Sequence, residues 1–327
     1  MNWTDFLRQQ NLAAETGQPL DINSLSELSD KAIIDITGTD AIAFLHGQFT
    51  GHIESLPPDQ AMLTAWCNPK GRVLATILLC RRDDGLRLLV SADQHAALLK
   101  RLQMFVLRAQ VTLTDHRQDY ASIGVSGSDA TRLLAQHLGS LPNRPWHVIS
   151  CNDVNVIQMP MATTANTGSR YLLAGPVAAI IRHWQQLEHV FQPAAHTYWR
   201  RLDIEAGLPQ TTTATAELFL PQELNLDHLG GLHYQKGCYP GQEIVARLHF
   251  RGELKQQLRL ASTSTPLPAP ATPLYAANGQ RVGTVLQATG GAGGAVRLLA
   301  VAAANISVAH RDNVSGDSVT FTAEPAA

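Results

Sequence analysis

The chain has 327 residues, 45% of them hydrophobic and 16% charged, and a formal net charge of −2. This length and apolar content fit a folded protein of two or three domains and exclude a disordered one. The near-neutral balance argues against a general nucleic-acid or anionic-membrane binder, which needs clustered Lys and Arg.

Taken in order, Met1 to Leu28 read as an amphipathic lead-in, with Trp3, Phe6 and Leu7 on one face and a polar link behind them. Lys31–Ile36 reads as a strand. Thr37-Gly38-Thr39-Asp40 is a turn with an N-cap, and Ala41–Phe49 has helical spacing through Ile42, Leu45 and Phe49. Ala61–Trp66 and Val73–Leu79 are strand-like, joined by the hairpin signal Asn68-Pro69-Lys70-Gly71. Asp83-Asp84-Gly85 is a second turn before a strand at Leu86–Val90. Asp93 is placed to cap a helix through Leu107, and Gln110–Thr114 returns as a strand. The order β-α-β-β-β-α-β predicts an antiparallel sheet with helices on one face.

The pattern then restarts. Ile34 to Ala41 resembles Ile123 to Ala130 at a constant offset of 89, with Gly38 on Gly127, Asp40 on Asp129 and Leu45 on Leu134. A duplicated α+β unit accounts for this, with strands near 146–150, 153–159 and 170–174 and a helix over Pro176–Val190. Tyr198–Ala206 is a further helix, stopped by Gly207-Leu208-Pro209. Beyond Arg251-Gly252 come short strands at Leu258–Ala261, Val282–Gln287, Val296–Ala303 and Ser318–Thr322, the profile of a small all-β barrel. The run Gly290–Gly294 is not GxGxxG and does not join a strand to a helix, so it reads as a hairpin tip.

No apolar run approaches the ~18 residues of a membrane span. The N-terminus lacks the basic-then-apolar order of a signal peptide, so a cytoplasmic protein is expected. The four cysteines, Cys67, Cys80, Cys151 and Cys238, contain no CxxC, which indicates neither a disulfide scaffold nor a zinc ribbon. His228, His233 and Cys238 fall at intervals of five but match no standard metal spacing, and no metal site is expected.

The densest chemistry is Lys236-Gly237-Cys238-Tyr239-Pro240-Gly241-Gln242-Glu243. Gly237 permits close backbone approach or positive φ, and Pro240-Gly241 reads as a turn. A helix beginning at Gln242 would leave Cys238 just before its N-terminus. The helix dipole and the Lys236 charge would then favour a thiolate. The alternative is a buried, inert cysteine in a turn. Tyr239 reads as a packing residue beside Cys238, and Cys67, Cys80 and Cys151 read as structural.

The stretch from Arg201 to Gly252 resembles the YgfZ branch of the family that also holds the aminomethyltransferase (T-protein) of glycine cleavage. The branch signature K-G-C-[YF]-x-G-Q-E stands complete at Lys236–Glu243. Asp203 to Pro209, Pro221-Gln222 with Asn225, Leu229-Gly230-Gly231, Arg247, Arg251-Gly252, Phe44 to Thr50 and Lys70-Gly71 extend the likeness over nearly the whole chain. The resemblance implies an α+β fold of two ferredoxin-like antiparallel units and a C-terminal β-barrel, arranged as a three-domain ring. The limits expected here are 1–115, 116–252 and 253–327, with 200–252 able to pack back on the first unit.

It also implies a folate binder, for tetrahydrofolate or another folate, that helps maintain iron–sulfur enzymes, one of them an enzyme of tRNA thiomodification. The pterin would sit near the central opening with Trp199 against it and Cys238 as the essential thiol. Candidate contacts are Glu205 and Glu243 for the pterin's amino edge, with Tyr239, Gln242 and Arg247 beside them. Either carboxylate serves equally as a helix cap or an arginine partner, and Arg200, Arg201, Arg247 and Arg251 equally form a solvated helix face. Two positions depart from the family pattern. Lys31 stands near the place of an early tryptophan, and His52 stands where Asp is common. A tetrahydrofolate-dependent one-carbon transferase and a plain protein scaffold are the competing functions; stable direct nucleic-acid or membrane binding is not expected.

Overall fold

Residues 2–10, 12, 19–151, 154–162, 167–264, 266–290, 294–311 and 318–322 are described by a computed structural model. The chain opens with a short helix α1 (Trp3–Leu7) and a strand β1 (Ser24–Glu27). The first unit follows as β2 (Lys31–Thr37), α2 (Ala41–His46), β3 (Ala61–Cys67), β4 (Val73–Arg82), β5 (Gly85–Ser91), α3 (His95–Phe105) and β6 (Thr112–Asp115). The second repeats that order as β7 (Tyr120–Gly127), α4 (Ala130–Leu138), β8 (Val148–Cys151), β9 (Val154–Met159), β10 (Ser169–Pro176), α5 (Val177–Leu187) and β11 (Gln192–Ala194). Next come α6 (His196–Glu205) and α7 (Gln242–Arg251). The barrel strands are β12 (Gln256–Thr263), β13 (Pro273–Tyr275), β14 (Arg281–Gly290), β15 (Val296–Ala303), β16 (Val308–His310) and β17 (Ser318–Phe321).

The internal repeat is geometric as well as sequential. Gly38 and Gly127 both take positive φ (116° and 134°), and Asp40 and Asp129 follow with φ −100° and −99°. A Cβ at Gly38 would lie 2.1 Å from the Gln110 carbonyl oxygen, and one at Gly127 2.6 Å from that of Ile22, so glycine is required where a second chain segment crosses. Asp40 and Asp129 take the N-cap positions expected of them, but neither side chain makes the capping hydrogen bond. Asp40 instead accepts from the Gln110 amide (2.7 Å), and Asn23 accepts from the Asp129 amide (3.0 Å). Asp93 is not the cap of α3, whose N-cap is Gln94. Asp93 accepts from Ser91 and from the amide of Thr213.

The first sheet runs β3-β4-β5-β2-β6, all antiparallel. The second runs β8-β9-β10-β7-β1-β11, the same order with β1 inserted. β1 lies antiparallel to β7 and parallel to β11, so the expected lead-in contributes a strand to the second unit. Ser24-Leu25-Ser26-Glu27 is buried on both faces and carries no alternation, which is why its pattern was silent. Glu27 anchors it by accepting from the His196 amide (2.9 Å) and ring (2.6 Å).

The two repeats diverge inside. Asp35 of β2 is held at both oxygens by Arg87 (2.9 and 2.8 Å), whose remaining nitrogen reaches Asn155 of β9 (2.8 Å) and so latches the units together. The corresponding residue of β7 is Gly124, where a Cβ would lie 2.2 Å from the Trp199 ring.

The C-terminal strands close into a barrel in the order β12-β15-β14-β13-β16-β17. β13 and β16 are additional to the expected strands. Residues 291–293 of the glycine run lie outside the described residues. A bulge between Val285 and Gln287 re-aims Gln287, which accepts from the Gln210 amide (2.8 Å) and donates to the Leu208 carbonyl (3.2 Å). No described helix is long and apolar enough to cross a membrane.

Candidate functional site

The segment between α6 and α7 returns to the first unit. Glu217 N donates to the Val73 carbonyl (2.8 Å), Thr211 N to Thr76 Oγ1 (3.0 Å), and Thr50 Oγ1 to the Gly231 carbonyl (2.7 Å). Lys236 makes the densest tie. Its ammonium donates to the carbonyls of His46 (2.5 Å), Phe49 (2.6 Å) and Gly51 (2.8 Å), around the C-terminal end of α2. A helix leaves its last carbonyls unpaired and favours a cation there, and three acceptors match the three donors of an ammonium. Burial pulls the Lys236 pKa down to about 8, against the pull of Glu54. The carbonyl oxygens favour the charged form, so the clamp holds its proton at neutral pH. Lys236 is therefore a positioning residue, and its charge is committed to backbone oxygens instead of to Cys238.

Two glycines flank the thiol and do different work. Gly241, the N-cap of α7, has φ 82°, and a Cβ there would lie 2.5 Å from both the Asn68 carbonyl oxygen and Gly71 Cα. Only glycine lets the motif seat on the β3–β4 hairpin tip. Gly237 has neither property expected of it. Its φ is not positive, and a Cβ would meet nothing nearer than His46 Nε2 at 3.7 Å. Between them Cys238 is exposed, whereas Cys67 and Cys80 are buried and Cys151 is half-buried. Burial pushes the Cys67 thiol up and the Cys80 thiol up to about 12, which keeps both protonated. Tyr239 is buried with its ring 5.2 Å from the Lys236 nitrogen, and burial raises its phenol, as fits a packing residue. Gln242 donates to the Lys236 carbonyl (3.2 Å), while Glu243 and Arg247 are exposed on α7.

Against this loop stand three imidazoles. Ring centres of His46 and His52 are 4.7 Å apart, and those of His52 and His233 are 5.0 Å apart. Each Nδ1 accepts a backbone amide, from Glu54, Ser55 and Gln235 respectively. A neutral ring that accepts at Nδ1 carries its proton on Nε2, so these rings offer donors and no metal-binding lone pair. Among the described residues no group of three or more His, Cys, Asp or Glu is placed to hold a metal ion. Burial lowers the His46 pKa; Lys236, His52 and His233 push the same way, against Glu54.

The residues expected around a pterin are placed elsewhere. Trp199 is 1% exposed, its ring packed on Gly124 with the Arg170 guanidinium 5.2 Å from its centre, which leaves no face to stack on a ligand. Glu205 is buried and bound at both oxygens by Arg297 (2.7 and 2.9 Å), which fastens α6 to the barrel. Arg200 pairs with Asp30 (3.1 Å), Arg201 is half-buried, and Arg251 is exposed. His52 caps a 3-10 turn through Nδ1.

A narrow cleft with a cavity volume of about 50 Å³ lies between the two sheets. Its apolar walls include Leu63, Leu78 and Val90 from the first unit and Met159 and Leu172 from the second. Trp146, Lys31, Asp203 and Gln210 also face it. Lys31 Nζ donates to Gln210 (3.1 Å) and stands 3.8 Å from Asp203 Oδ2, while Arg170 donates to Asp203 Oδ1 (2.8 Å) from the buried side. No lining residue comes from Lys236–Glu243, so Cys238 and this cleft are separate features, against the expectation of a sulfur at its mouth.

Residues 9–229 match the family described as the GCVT N-terminal domain. The tRNA-modifying protein YgfZ of Klebsiella pneumoniae (strain 342) is 33% identical over 269 residues, covering 81% of this chain and 80% of the relative. That of Yersinia pestis (strain Pestoides F) is 32% identical over 289 residues, covering 87% and 84%. The chain belongs to the YgfZ branch of the GCVT family. The glycine cleavage system aminomethyltransferase T from Bartonella henselae shares the fold, with a TM-score of 0.74 over 94% of this chain and 87% of that one, at 14% identity. Within the YgfZ frame, the motif loop was legible from the sequence; Asp203 stood in the Asp203 to Pro209 likeness without a role of its own, and Trp146 and Gln210 were not singled out. Asp203 lies two residues after Arg201 and reads as one more helix-face charge. Trp146, expected to open a strand near 146–150, stands in the turn before β8.

Proposed function

We propose that this protein is a folate-binding accessory factor for iron–sulfur enzymes, acting through them on tRNA modification, with the Cys238 thiol as its working group. The observation that carries this reading is the presentation of Cys238. Of the four cysteines it alone is exposed, and it sits on a loop pinned by the half-buried Lys236 clamp and by Gly241. The curated relatives bear the name of tRNA-modifying protein, which supports the pathway; the folate and the iron–sulfur clients come from the family resemblance.

The test compares wild type with Cys238→Ala in cells lacking the native protein, reading thiomodified tRNA nucleosides by mass spectrometry and the activity of a client iron–sulfur enzyme. The variant should fold with an unchanged urea midpoint and lose both readouts. Full modification with Cys238→Ala would sink the proposal. One-carbon transfer has less support, because a general base needs a free carboxylate, whereas Glu205, the buried candidate of α6, is held at both oxygens by Arg297.

A further inference from the structure

We infer that the end of α3 and the turn after it, Met104 to Arg108, form a docking surface for a protein partner that presents acidic groups around an apolar centre. That this partner is an iron–sulfur client rests on the function proposed above; the surface itself rests on three observations.

The first is apolar exposure gathered in one place. Met104 is 70% exposed, Phe105 42% and Leu107 86%, and Leu107 is the most exposed large apolar side chain among the described residues. Single apolar residues at a surface are ordinary, but three within four positions make a patch, and folding alone gains nothing by leaving them in water. The second is rigid display. α3 ends at Phe105, whose ring stands edge-on to the buried Trp66 with centres 6.2 Å apart. The chain then turns sharply, the Leu107 amide donating to the Phe105 carbonyl (3.0 Å). Three residues on, Gln110 is tied down by Asp40, whose carboxylate accepts from its amide (2.7 Å) and whose amide donates to its carbonyl (3.4 Å). A segment fixed at both ends has little freedom left to lose on binding. The third is charge. From His95 to Val111 the chain carries Lys100, Arg101 and Arg108 and no Asp or Glu. Among the described residues none of the three forms an ion pair; Arg101 lies over the Trp66 ring (5.5 Å), and Lys100 and Arg108 are exposed. Arg87, Arg170 and Arg297, by contrast, are each bound to a carboxylate.

These charges select an acidic partner. Met, aromatic and Arg side chains together are also what the centres of protein interfaces are enriched in. An RNA would call for a longer basic track, and a membrane surface for a longer apolar face. The patch adjoins the thiol loop: Phe105 packs on Trp66, the Trp66 ring lies 6.5 Å from that of Phe49, and the Phe49 carbonyl accepts from Lys236 (2.6 Å). A partner seated on Met104 to Arg108 is therefore held beside the loop that displays Cys238.

The experiment measures binding of the full chain to a purified iron–sulfur enzyme of tRNA thiomodification by biolayer interferometry, at low and high salt. Leu107→Glu and Met104→Glu should each weaken binding roughly tenfold or more, as the loss of an anchor at an interface centre does. Arg108→Glu should weaken it at low salt and flatten its salt dependence. Val190→Glu, at an exposed apolar position of the second unit, should change nothing. All four side chains are exposed, so urea midpoints should hold. The rate at which iodoacetamide alkylates Cys238 should also stay that of wild type, which separates docking from the thiol. Binding unchanged in both Leu107→Glu and Arg108→Glu overturns this surface and leaves the proposed function intact. So does the absence of binding by wild type while Cys238→Ala still abolishes thiomodification; where Cys238→Ala retains modification, the functional reading fails as well. The same substitutions could instead abolish binding to phosphatidylglycerol vesicles or to unmodified tRNA, or dissolve a dimer of the chain seen by light scattering. Any of these with client binding retained gives the face a different occupant and overturns the inference.

Discussion

The motif loop and the inter-unit cleft are built on opposite plans. The loop is local: eight consecutive residues present one thiol, and the tertiary structure's contribution is a clamp beneath it. The cleft is dispersed, with β2, β3, β4, β5, β9, β10, α6, the turn at Trp146 and the Leu208–Gln210 segment each giving one to three residues. The contrast teaches that a contiguous signature marks where chemistry is displayed, while the residues that shape a pocket in the same molecule are scattered and individually unremarked.

That contrast can be broken at several points. The largest effect is expected at Trp199. If it is a core residue, Trp199→Ala should cost about 3–5 kcal/mol in urea unfolding, the range for emptying a buried tryptophan site. A ligand-stacking residue would instead lose affinity with little change in stability. Next comes Lys236→Met, which leaves three carbonyls without their donor. Unpaired buried groups cost about 1–3 kcal/mol each, partly relieved by water, and a destabilisation of about 2–4 kcal/mol is expected. An unchanged midpoint together with lost activity would make Lys236 a chemical participant and not a clamp.

The two motif glycines sharpen the point. Gly241→Ala meets backbone atoms at 2.5 Å in a left-handed conformation and should cost about 1–3 kcal/mol. Gly237→Ala meets ordinary contacts and should stay within about 0.5 kcal/mol. Equal losses at the two positions would refute the seating of the motif on the β3–β4 hairpin.

The smallest effect is with pH. Burial and neighbouring cations lower the His46 pKa below its ordinary value, and burial does the same for His95, His137 and His183. The unfolded chain therefore binds more protons than the folded one just below pH 6.5. Stability should be intact above that value and fall as pH drops through it. His196 acts in the opposite sense: its hydrogen bond to Glu27 raises its pKa, so its contribution is full below pH 6.5 and fades as pH rises through the raised value. Urea midpoints at pH 7.5 and 5.5 should differ less in His46→Gln than in wild type; an identical pH dependence would remove His46 from the balance.

Much of the fold was legible because its units follow simple periods. The repeat from Ile34 to Ile123 found both sheets, since a glycine turn before a helix is a backbone demand that only glycine meets. β1 was missed because four residues buried on both faces show no alternation. At the site, Cys238 was legible from its motif. A cation near a thiol in sequence says nothing of which carbonyls the fold brings to Lys236, nor does the sequence show that Gly124, in another unit, makes room for the Trp199 ring.

By itself the sequence determined the modular plan, the duplicated unit, the barrel and the identity of the displayed thiol, since these depend on local periodicity and on one contiguous motif. Tertiary structure alone decided which side chains remain available. Burial against Gly124, Arg297 and three backbone carbonyls consumed Trp199, Glu205 and Lys236, while the meeting of two sheets exposed Trp146, Asp203 and Lys31 to a common space. The physical reason is that a polar or aromatic group is free for a ligand only when no nearer partner satisfies it, and partners distant in the chain are set by packing.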